Sequence, residues 1–316
     1  MKNLSFFLIL VGWVAQSLQA QSTVSTPIVG FETKSFSGGT TGIGLGFVKP
    51  AVYSGTSTSV ASGSVTCTGA NLTSLGSGLN PVNGLPTHYV EITSGTLAGY
   101  VADVLSHTST SLTIDGDLSS IVGTTPNFAI RPHTKASDVF QGNATLTDYV
   151  DTATVYNPDG SATSLLRDSS SPTGWVDPNS FAAADFVVYP GQAILVSVSS
   201  NGSVTVTGQV KTTPTIVPLY ASAPNYVTLG YPGGNRVLQT SGLGSNLADF
   251  VDTVADLSTD GSFNQTGIYL WGGTADGFID PNSFSPVSGV AVPGSGAVLV
   301  SVSADTYFVA PAPVNP

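Results

Sequence analysis

The chain has 316 residues and a formal net charge of −11, and 9% of its residues are charged, against about 25% in an average globular protein. Eight Lys and Arg residues scattered along an acidic chain cannot form the basic face that nucleic-acid or anionic-membrane binding requires. The chain is rich in Ser, Thr and Gly instead, which is typical of β-rich proteins outside the cell.

The first twenty residues have the organisation of a secretory signal. Lys2 supplies a positive charge, residues 6–15 form an apolar stretch, and Ala20 is a small residue at a suitable cleavage position. We expect residues 1–20 to be removed and the protein to be secreted, either extracellular or attached to the outer surface, with the periplasm as the alternative. The apolar stretch is shorter than the roughly 20 residues of a spanning helix, and none of that length follows. No transmembrane segment is therefore predicted.

Four motifs occur twice in the same order, which indicates a duplicated domain. The first series is residues 148–152 (DYVDT), 159–161 (DGS), 175–181 (WVDPNSF) and 195–199 (LVSVS). The second series is residues 249–253 (DFVDT), 260–262 (DGS), 278–284 (FIDPNSF) and 299–303 (LVSVS). Each copy is long enough to have its own hydrophobic core.

The hydrophobic pattern predicts strands almost throughout. Short runs of β-branched residues alternate with polar residues and are separated by Gly, Pro, Asn and Asp, as in antiparallel sandwiches and barrels. In residues 193–210, two alternating runs flank Asn201-Gly202, and this pattern predicts a hairpin with a type I′ turn. The predicted fold class is all-β, with duplicated antiparallel β-sandwich-like domains.

An additional segment interrupts the first copy. Residues 44–47 (GLGF) resemble residues 228–231 (TLGY) at a much larger offset than the other motifs, so the first copy contains a small β insert with its own strands. The predicted organisation is a signal peptide (1–20), a first β domain (21–51 and 134–212), the insert (52–133), a second β domain (213–309) and a disordered tail (310–316).

Several segments carry a resemblance to a known family. They are residues 89–95 (YVEITSG), 128–133 (FAIRPH), 190–192 (PGQ) and 210–214 (VKTTP). In their order and spacing, the chain resembles an uncharacterised family of secreted, β-rich verrucomicrobial proteins. The resemblance implies export and a β-rich architecture, and it implies no activity.

Calcium is the one cofactor for which the sequence offers ligands, because hard cations prefer carboxylate, amide and carbonyl oxygens clustered on loops. The candidate ligands are Asp115, Asp117, Asp177, Asn179, Asp280 and Asn282. None belongs to a complete twelve-residue calcium loop. Because the same residues also stabilise turns, a chain without a cofactor is the favoured interpretation.

Two tryptophan positions bear on glycan binding. Trp175 aligns with Phe278 in the repeat, and a position that accepts either ring is best explained as a core anchor. Trp271 precedes Gly272-Gly273 in an expected loop and is the candidate for an exposed platform on which a sugar ring could stack.

Catalysis is weakly supported. The sequence contains no Gly-x-Ser-x-Gly motif, and its three histidines, His88, His107 and His133, lie in or beside the insert. The single cysteine, Cys67, lies on the apolar face of an alternating run and is expected to be a small buried hydrophobe.

The leading hypothesis is a secreted, non-enzymatic protein with a structural or adhesive role at the cell surface or in the extracellular matrix. Its expected partners are extracellular polysaccharide or other surface proteins. The alternative is a carbohydrate-binding module protein, and a secreted hydrolase is the least favoured hypothesis.

Overall fold

A computed structural model of the protein describes residues 27–81, 83–140, 143, 145–294 and 296–313. The predicted signal peptide lies outside these residues. Strands dominate, so the all-β prediction is confirmed, and the one α-helix in the described ranges, α1, is Ala136–Phe140. Within the same ranges, no helix is both long and apolar enough to cross a membrane.

The strands are numbered in chain order. The first nine are β1 (Val29–Phe36), β2 (Gly39–Gly44), β3 (Tyr53–Thr56), β4 (Ser59–Ala61), β5 (Ser64–Thr66), β6 (His88–Ile92), β7 (Val101–His107), β8 (Ser111–Asp115) and β9 (Asn127–Pro132). The next seven are β10 (Thr134–Lys135), β11 (Thr152–Tyr156), β12 (Ala162–Arg167), β13 (Trp175–Val176), β14 (Val187–Val188), β15 (Ala193–Val198) and β16 (Gly202–Gln209).

The remaining strands follow residue 214. They are β17 (Thr215–Leu219), β18 (Asn225–Val227), β19 (Asn235–Val237), β20 (Thr253–Leu257), β21 (Gln265–Trp271), β22 (Phe278–Ile279), β23 (Ala291–Pro293), β24 (Val298–Ser301) and β25 (Thr306–Ala310). Three short 3₁₀ turns span Leu72–Leu75, Ser119–Ile121 and Leu238–Thr240.

Strands β3 to β9 form one seven-stranded sheet in the order β3-β9-β6-β7-β8-β5-β4, which we call the insert. Its inward residues form a separate hydrophobic cluster that includes Cys67, which is buried. The first and last strands of the insert pair with each other, with Tyr53 opposite Ile130. The chain therefore enters and leaves the insert at adjacent points.

The segments on either side of the insert, and the segment after residue 214, form two sets of sheets with the same topology. We call them the first and second domains. The first contains the sheet β13-β12-β11-β15-β2 and the pairs β1-β16 and β10-β14. The second contains the equivalent sheet β22-β21-β20-β24-β18 and the pairs β17-β25 and β19-β23. Each encloses its own hydrophobic core.

The predicted hairpin at residues 193–210 is wrong in its pairing. Strand β15 pairs with β2 and β11, whereas β16 pairs with β1, so the connection crosses between two sheets. A type I′ turn needs positive φ at both central residues, and neither Asn201 nor Gly202 has it. Ile194 and Val204 contribute to one core from opposite layers. The alternating hydrophobic pattern therefore predicted which face of each strand is buried, but it did not predict which strand pairs with it.

The two domains meet through reciprocal contacts. Ile43 of the first domain forms a β-bridge to Gly296, and its equivalent in the second domain, Val227, forms a β-bridge to Gln192. Gln192 and Gly296 are themselves equivalent in the repeat. Such exchange of equivalent contacts is the arrangement of a two-fold symmetric dimer interface, here within one chain.

Turns extend the same symmetry. Gly160 lies against the carbonyl of Ser222, and its equivalent Gly261 lies against the carbonyl of Gly38, the residue equivalent to Ser222. The Gly261 carbonyl also accepts a hydrogen bond of 2.8 Å from the backbone N–H of Thr40. The interface is thus fixed by backbone as well as by side chains.

Small residues allow this close approach. Gly44 faces its own equivalent, Thr228, and a Cβ atom at Gly44 would overlap the Thr228 side chain. Ala193, Ala297 and Leu257 form a small buried cluster between the domains. Small residues at these positions therefore let the backbones of the two domains approach each other closely.

A buried ionic cluster holds the insert against both domains. Glu91 of the insert is fully buried and contacts Arg131 at 2.8 Å and Lys211 at 2.9 Å. The Arg131 guanidinium donates to the Lys49 carbonyl, and the Lys211 ammonium donates to the Thr215 hydroxyl. Burial raises the pKa of Glu91, but the charges of Lys211 and Arg131 outweigh it, and the net pKa is lowered.

The C-terminal tail prediction is wrong for its first residues. Ala310 is the last residue of β25 and is buried, and the Tyr231 hydroxyl donates to the Pro311 carbonyl at 2.5 Å. Residues 314–316 of the predicted tail lie outside the described residues.

Candidate functional site

An unusual backbone conformation marks four exposed aromatic residues. In the described part of the chain, five non-glycine residues have φ between +53° and +60°: Tyr149, Phe181, Phe250, Phe263 and Phe284. Bulky residues rarely adopt this left-handed region, which costs roughly 1–2 kcal/mol per residue. Four of the five form two pairs of equivalent positions in the repeat, and those four are exposed.

We call these positions the aromatic shelves. The first shelf consists of Tyr149, Val150 and Phe181, and the second of Phe250, Val251 and Phe284. The exposed fractions of the four rings are 56%, 61%, 55% and 63% in that order, and the two valines are exposed to a similar degree. In the first shelf, the ring centroids of Tyr149 and Phe181 lie 6.4 Å apart.

Each Asp-Pro-Asn-Ser-Phe turn closes on its phenylalanine. The Phe181 N–H donates to the Asp177 carbonyl at 2.9 Å, and the Asp177 N–H donates to the Ala182 carbonyl at 2.9 Å. The second turn repeats both bonds, from Phe284 to Asp280 and from Asp280 to Ser285. The closing position needs a left-handed residue, usually Gly or Asn, so a phenylalanine in both turns is not what turn formation favours.

The candidate calcium ligands on these turns bind the turn itself. Asp177 Oδ1 accepts hydrogen bonds from the backbone N–H groups of Asn179 and Ser180 and from the Ser180 hydroxyl. The N–H and hydroxyl of Ser180 lower the pKa of Asp177. In the second copy, Asp280 accepts the corresponding N–H groups of Asn282 and Ser283. These carboxylates position the shelves.

The other candidate ligands lie in the insert. Asp117 accepts the N–H of Ser119 at 2.8 Å and its hydroxyl at 3.0 Å, and Asp115 is an exposed residue at the end of β8. The described residues contain no group of three or more His, Cys, Asp or Glu side chains that could hold a metal ion. Calcium binding at these positions stays a prediction.

A buried carboxylate fixes the other half of each shelf. Asp151 is fully buried, and its two oxygens accept backbone N–H groups of Thr147 and Ser199, each at 2.8 Å. Asp252 in the second domain accepts those of Ala248 and Ser303 at the same distance. Each carboxylate joins the turn that carries Tyr149 or Phe250 to a strand end of the large sheet and so holds the backbone under each shelf in place.

The first shelf has an additional polar rim. The Tyr149 hydroxyl donates to Asp168 at 2.9 Å, and this bond raises the tyrosine pKa. Asp168 also accepts the Ser170 hydroxyl at 2.6 Å, which lowers the pKa of Asp168. Asp148 accepts the N–H of Ser169 at 2.8 Å. Phe250 lacks a hydroxyl, so the second shelf has no equivalent of the tyrosine contact.

Trp271 does not occupy the exposed loop predicted for it. It is the last residue of β21, it is half-buried, and its ring packs on Phe278 with centroids 5.0 Å apart. Its other close neighbour is Gly244, where a side chain would overlap the indole. Trp271 therefore belongs to the edge of the second core. Trp175 and Phe278 are buried, as their alignment predicted.

His133 lies in a buried cluster with an aspartate and two tyrosines. His133 Nε2 lies 2.9 Å from Asp103 Oδ1, and the His133 side chain is fully buried. The rings of Tyr89 and Tyr189 lie on it at centroid distances of 5.0 and 5.3 Å, and Tyr189 donates its hydroxyl to Asp103 at 2.7 Å. This cluster joins the insert to the first domain.

No family model, curated protein or solved structure matches the chain. Sequence reasoning missed the shelves, although all four aromatic residues lie inside the repeated motifs. The available indication was an aromatic residue at the same place in both copies of a turn whose other residues are polar.

Proposed function

We propose that this protein is a secreted, non-enzymatic protein with an adhesive or structural role at the cell surface or in the extracellular matrix. Its contacts with that surface or matrix are made by the two aromatic shelves. The proposal includes export by the N-terminal signal and kinship with the secreted verrucomicrobial proteins that the sequence resembles. One observation carries it: four exposed aromatic residues occupy strained backbone positions at equivalent places in both domains.

The backbone strain at the four aromatic residues is not required by folding. Glycine would satisfy the same turns without the steric cost, and an exposed ring contributes little to the core. Strain that the fold does not require is concentrated at functional positions. Rings held outward on a backbone fixed by hydrogen bonds lose little entropy on binding, which suits a contact surface.

Carbohydrate binding is the second candidate function. It is favoured by the tilted pair of rings in the first shelf, 6.4 Å apart, with the carboxylates of Asp148 and Asp168 and the neighbouring hydroxyls at the rim. Aromatic faces combined with a few fixed polar groups are the usual composition of a small-molecule site.

Attachment can be tested in the producing cells. We expect the parent protein to stay with the cell or matrix fraction and the double variant Phe181→Gly/Phe284→Gly to move into the medium, because each shelf loses its outermost ring. Quantitative immunoblotting of the two fractions measures this change. Phe31→Ala is the matched control, since Phe31 is an exposed ring without an equivalent in the repeat. Unchanged partition of the double variant would contradict the proposal.

A further inference from the structure

The positions of the shelves relative to the domain interface determine how many partners one molecule can hold. Strand β11 begins beside the first shelf and ends at Tyr156, whose ring lies 5.2 Å from Tyr226 of the second domain. Strand β20 begins beside the second shelf and ends at Leu257, in the buried cluster between the domains. The interface also includes Thr40, which bonds to Gly261 and lies in the same row of the sheet as Ser197 and Thr152.

The reciprocal interface places the shelves symmetrically. Because the domains exchange equivalent contacts, as Ile43 and Val227 do, the same operation that relates the domains relates the shelves. The interface contacts described above involve none of the six shelf residues, which are all exposed. The two shelves are therefore separate exposed surfaces, one on each domain.

The size of a shelf argues against a folded protein as the partner. Three apolar side chains are far fewer than the roughly 20–30 residues that each partner contributes to a standard protein interface. A shelf is large enough for a few sugar rings, whose apolar faces stack on aromatic side chains while their hydroxyls bond to polar groups at the rim.

Charge selects among polysaccharides. The chain carries a formal net charge of −11, and the rim of the first shelf contains Asp148 and Asp168. An acidic surface repels an anionic polymer, so the ligand class that fits is a neutral polysaccharide.

We propose that each shelf binds a neutral polysaccharide and that one protein molecule cross-links two polysaccharide chains. This inference rests on the proposed function and specifies its partner and valency. A protein with two exposed sites at equivalent positions of its two domains acts as a connector within a matrix, and its attachment to a polymer surface gains from avidity.

Binding can be measured by affinity gel electrophoresis in gels containing mixed-linkage β-glucan, galactomannan or xyloglucan, with alginate as an anionic comparison. We expect at least one neutral polysaccharide to retard the protein and alginate not to do so. The variant with Gly at Tyr149, Phe181, Phe250 and Phe284 should migrate as in an empty gel, whereas Phe31→Ala should be retarded like the parent. The proposal is overturned if no neutral polysaccharide retards the parent, or if the fourfold variant is still retarded.

Cross-linking is tested with the polysaccharide that binds. The parent protein should raise the viscosity of its solution, and the pairs Tyr149→Gly/Phe181→Gly and Phe250→Gly/Phe284→Gly should each bind in solution but fail to raise viscosity. On a polysaccharide-coated surface, each pair should bind about 100-fold more weakly than the parent through lost avidity. If a single-shelf variant thickens the solution like the parent, the two-site assignment is wrong. Thermal unfolding of every variant verifies folding.

The two proposals can fail separately. If the shelf variants leave the cell fraction but no polysaccharide retards the parent, adhesion through the shelves stands and the polysaccharide inference falls. Sedimentation of the parent at the concentrations used would then show whether a second copy of the chain is the partner. If polysaccharide binds and cell attachment does not change, the proposed function falls instead.

Discussion

The two domains share a backbone plan but fill one core position differently. In the first domain, Arg167 on β12 lies opposite Trp175 on β13, with the guanidinium carbon 5.8 Å from the indole centroid. In the second domain, the cross-strand pair is Trp271 and Phe278. The core has thus been repacked between the copies, while the exposed aromatic positions and their strained backbone have been kept. This is the reverse of what fold maintenance alone requires.

The largest effects should come from the core position that differs. Trp175→Ala and Phe278→Ala each remove a fully buried ring, and each should lower the free energy of unfolding by about 3–5 kcal/mol. Trp175→Phe, which copies the second domain, should retain most of the stability, because the indole N–H has no hydrogen-bond partner among the described residues. Thermal or denaturant unfolding measures all three. A Trp175→Ala protein that melts like the parent would show that the ring is not a core anchor.

Only the first domain carries the insert. Substitution in the buried ionic cluster of the insert should lower the free energy of unfolding nearly as much as the core substitutions do. Glu91→Gln leaves the buried charges of Lys211 and Arg131 without their carboxylate, and should destabilise by about 3–5 kcal/mol at neutral pH. Because the folded pKa of Glu91 is lowered, its contribution is complete above the unfolded value of about 4.3 and is lost as pH falls through the folded value. The difference in melting temperature between parent and variant should therefore shrink in acid. A difference that stays constant down to strongly acidic pH would contradict this assignment.

Substitution of the buried carboxylates under the shelves should lower the free energy of unfolding by smaller amounts, which should be similar in the two domains. Asp151→Asn and Asp252→Asn each replace one accepting oxygen with an amide that cannot accept, and so leave one partly buried backbone N–H without its carboxylate partner. Each should cost about 1–3 kcal/mol, with nearly equal values in the two domains because all four hydrogen bonds measure 2.8 Å. Unequal losses in unfolding experiments would show that the domains do not use this carboxylate in the same way.

The smallest effect is expected at the shelves. Phe181→Gly and Phe284→Gly relieve left-handed strain of roughly 1–2 kcal/mol, and the greater freedom of glycine in the unfolded chain offsets part of it. Stability should stay constant or rise by about 1 kcal/mol. Phe263→Gly is the matched control, because Phe263 has the same backbone conformation but packs against Tyr226, and it should be destabilised. A clear loss of stability in Phe181→Gly would make that ring structural.

The sequence pattern predicted a large part of the fold. Alternation marked the buried faces, and the repeat marked equivalent turns and the anchors Trp175 and Phe278. Strand pairing was not predictable at β15 and β16, because alternation specifies a face and not a neighbour. The interface between the domains was also not predictable from the sequence. The fit of Gly44 against Thr228 depends on the symmetric arrangement of the two domains, and no local sequence pattern indicates that arrangement.

The shelves show a different limit of sequence reasoning. A tryptophan next to glycines, as at Trp271, is typical of an exposed platform, but the missing side chain at Gly244 leaves space for the Trp271 ring to pack inward. The exposed rings belong to residues that local patterns assign to turns. Left-handed φ at an aromatic residue cannot be predicted from propensity, because propensity argues against it.

The paired ends of the insert affect the order of folding during synthesis. Strand β1 can form its sheet only after β16 has been synthesised, and β16 lies far along the chain. Pairing between such distant segments slows folding. The insert contains all of its own strands and can form as soon as β9 has been made. Because β3 pairs with β9, a folded insert brings its two flanking segments together and shortens the loop that the first domain must close. An interruption of the first domain can thus act as an internal clamp that helps it to assemble.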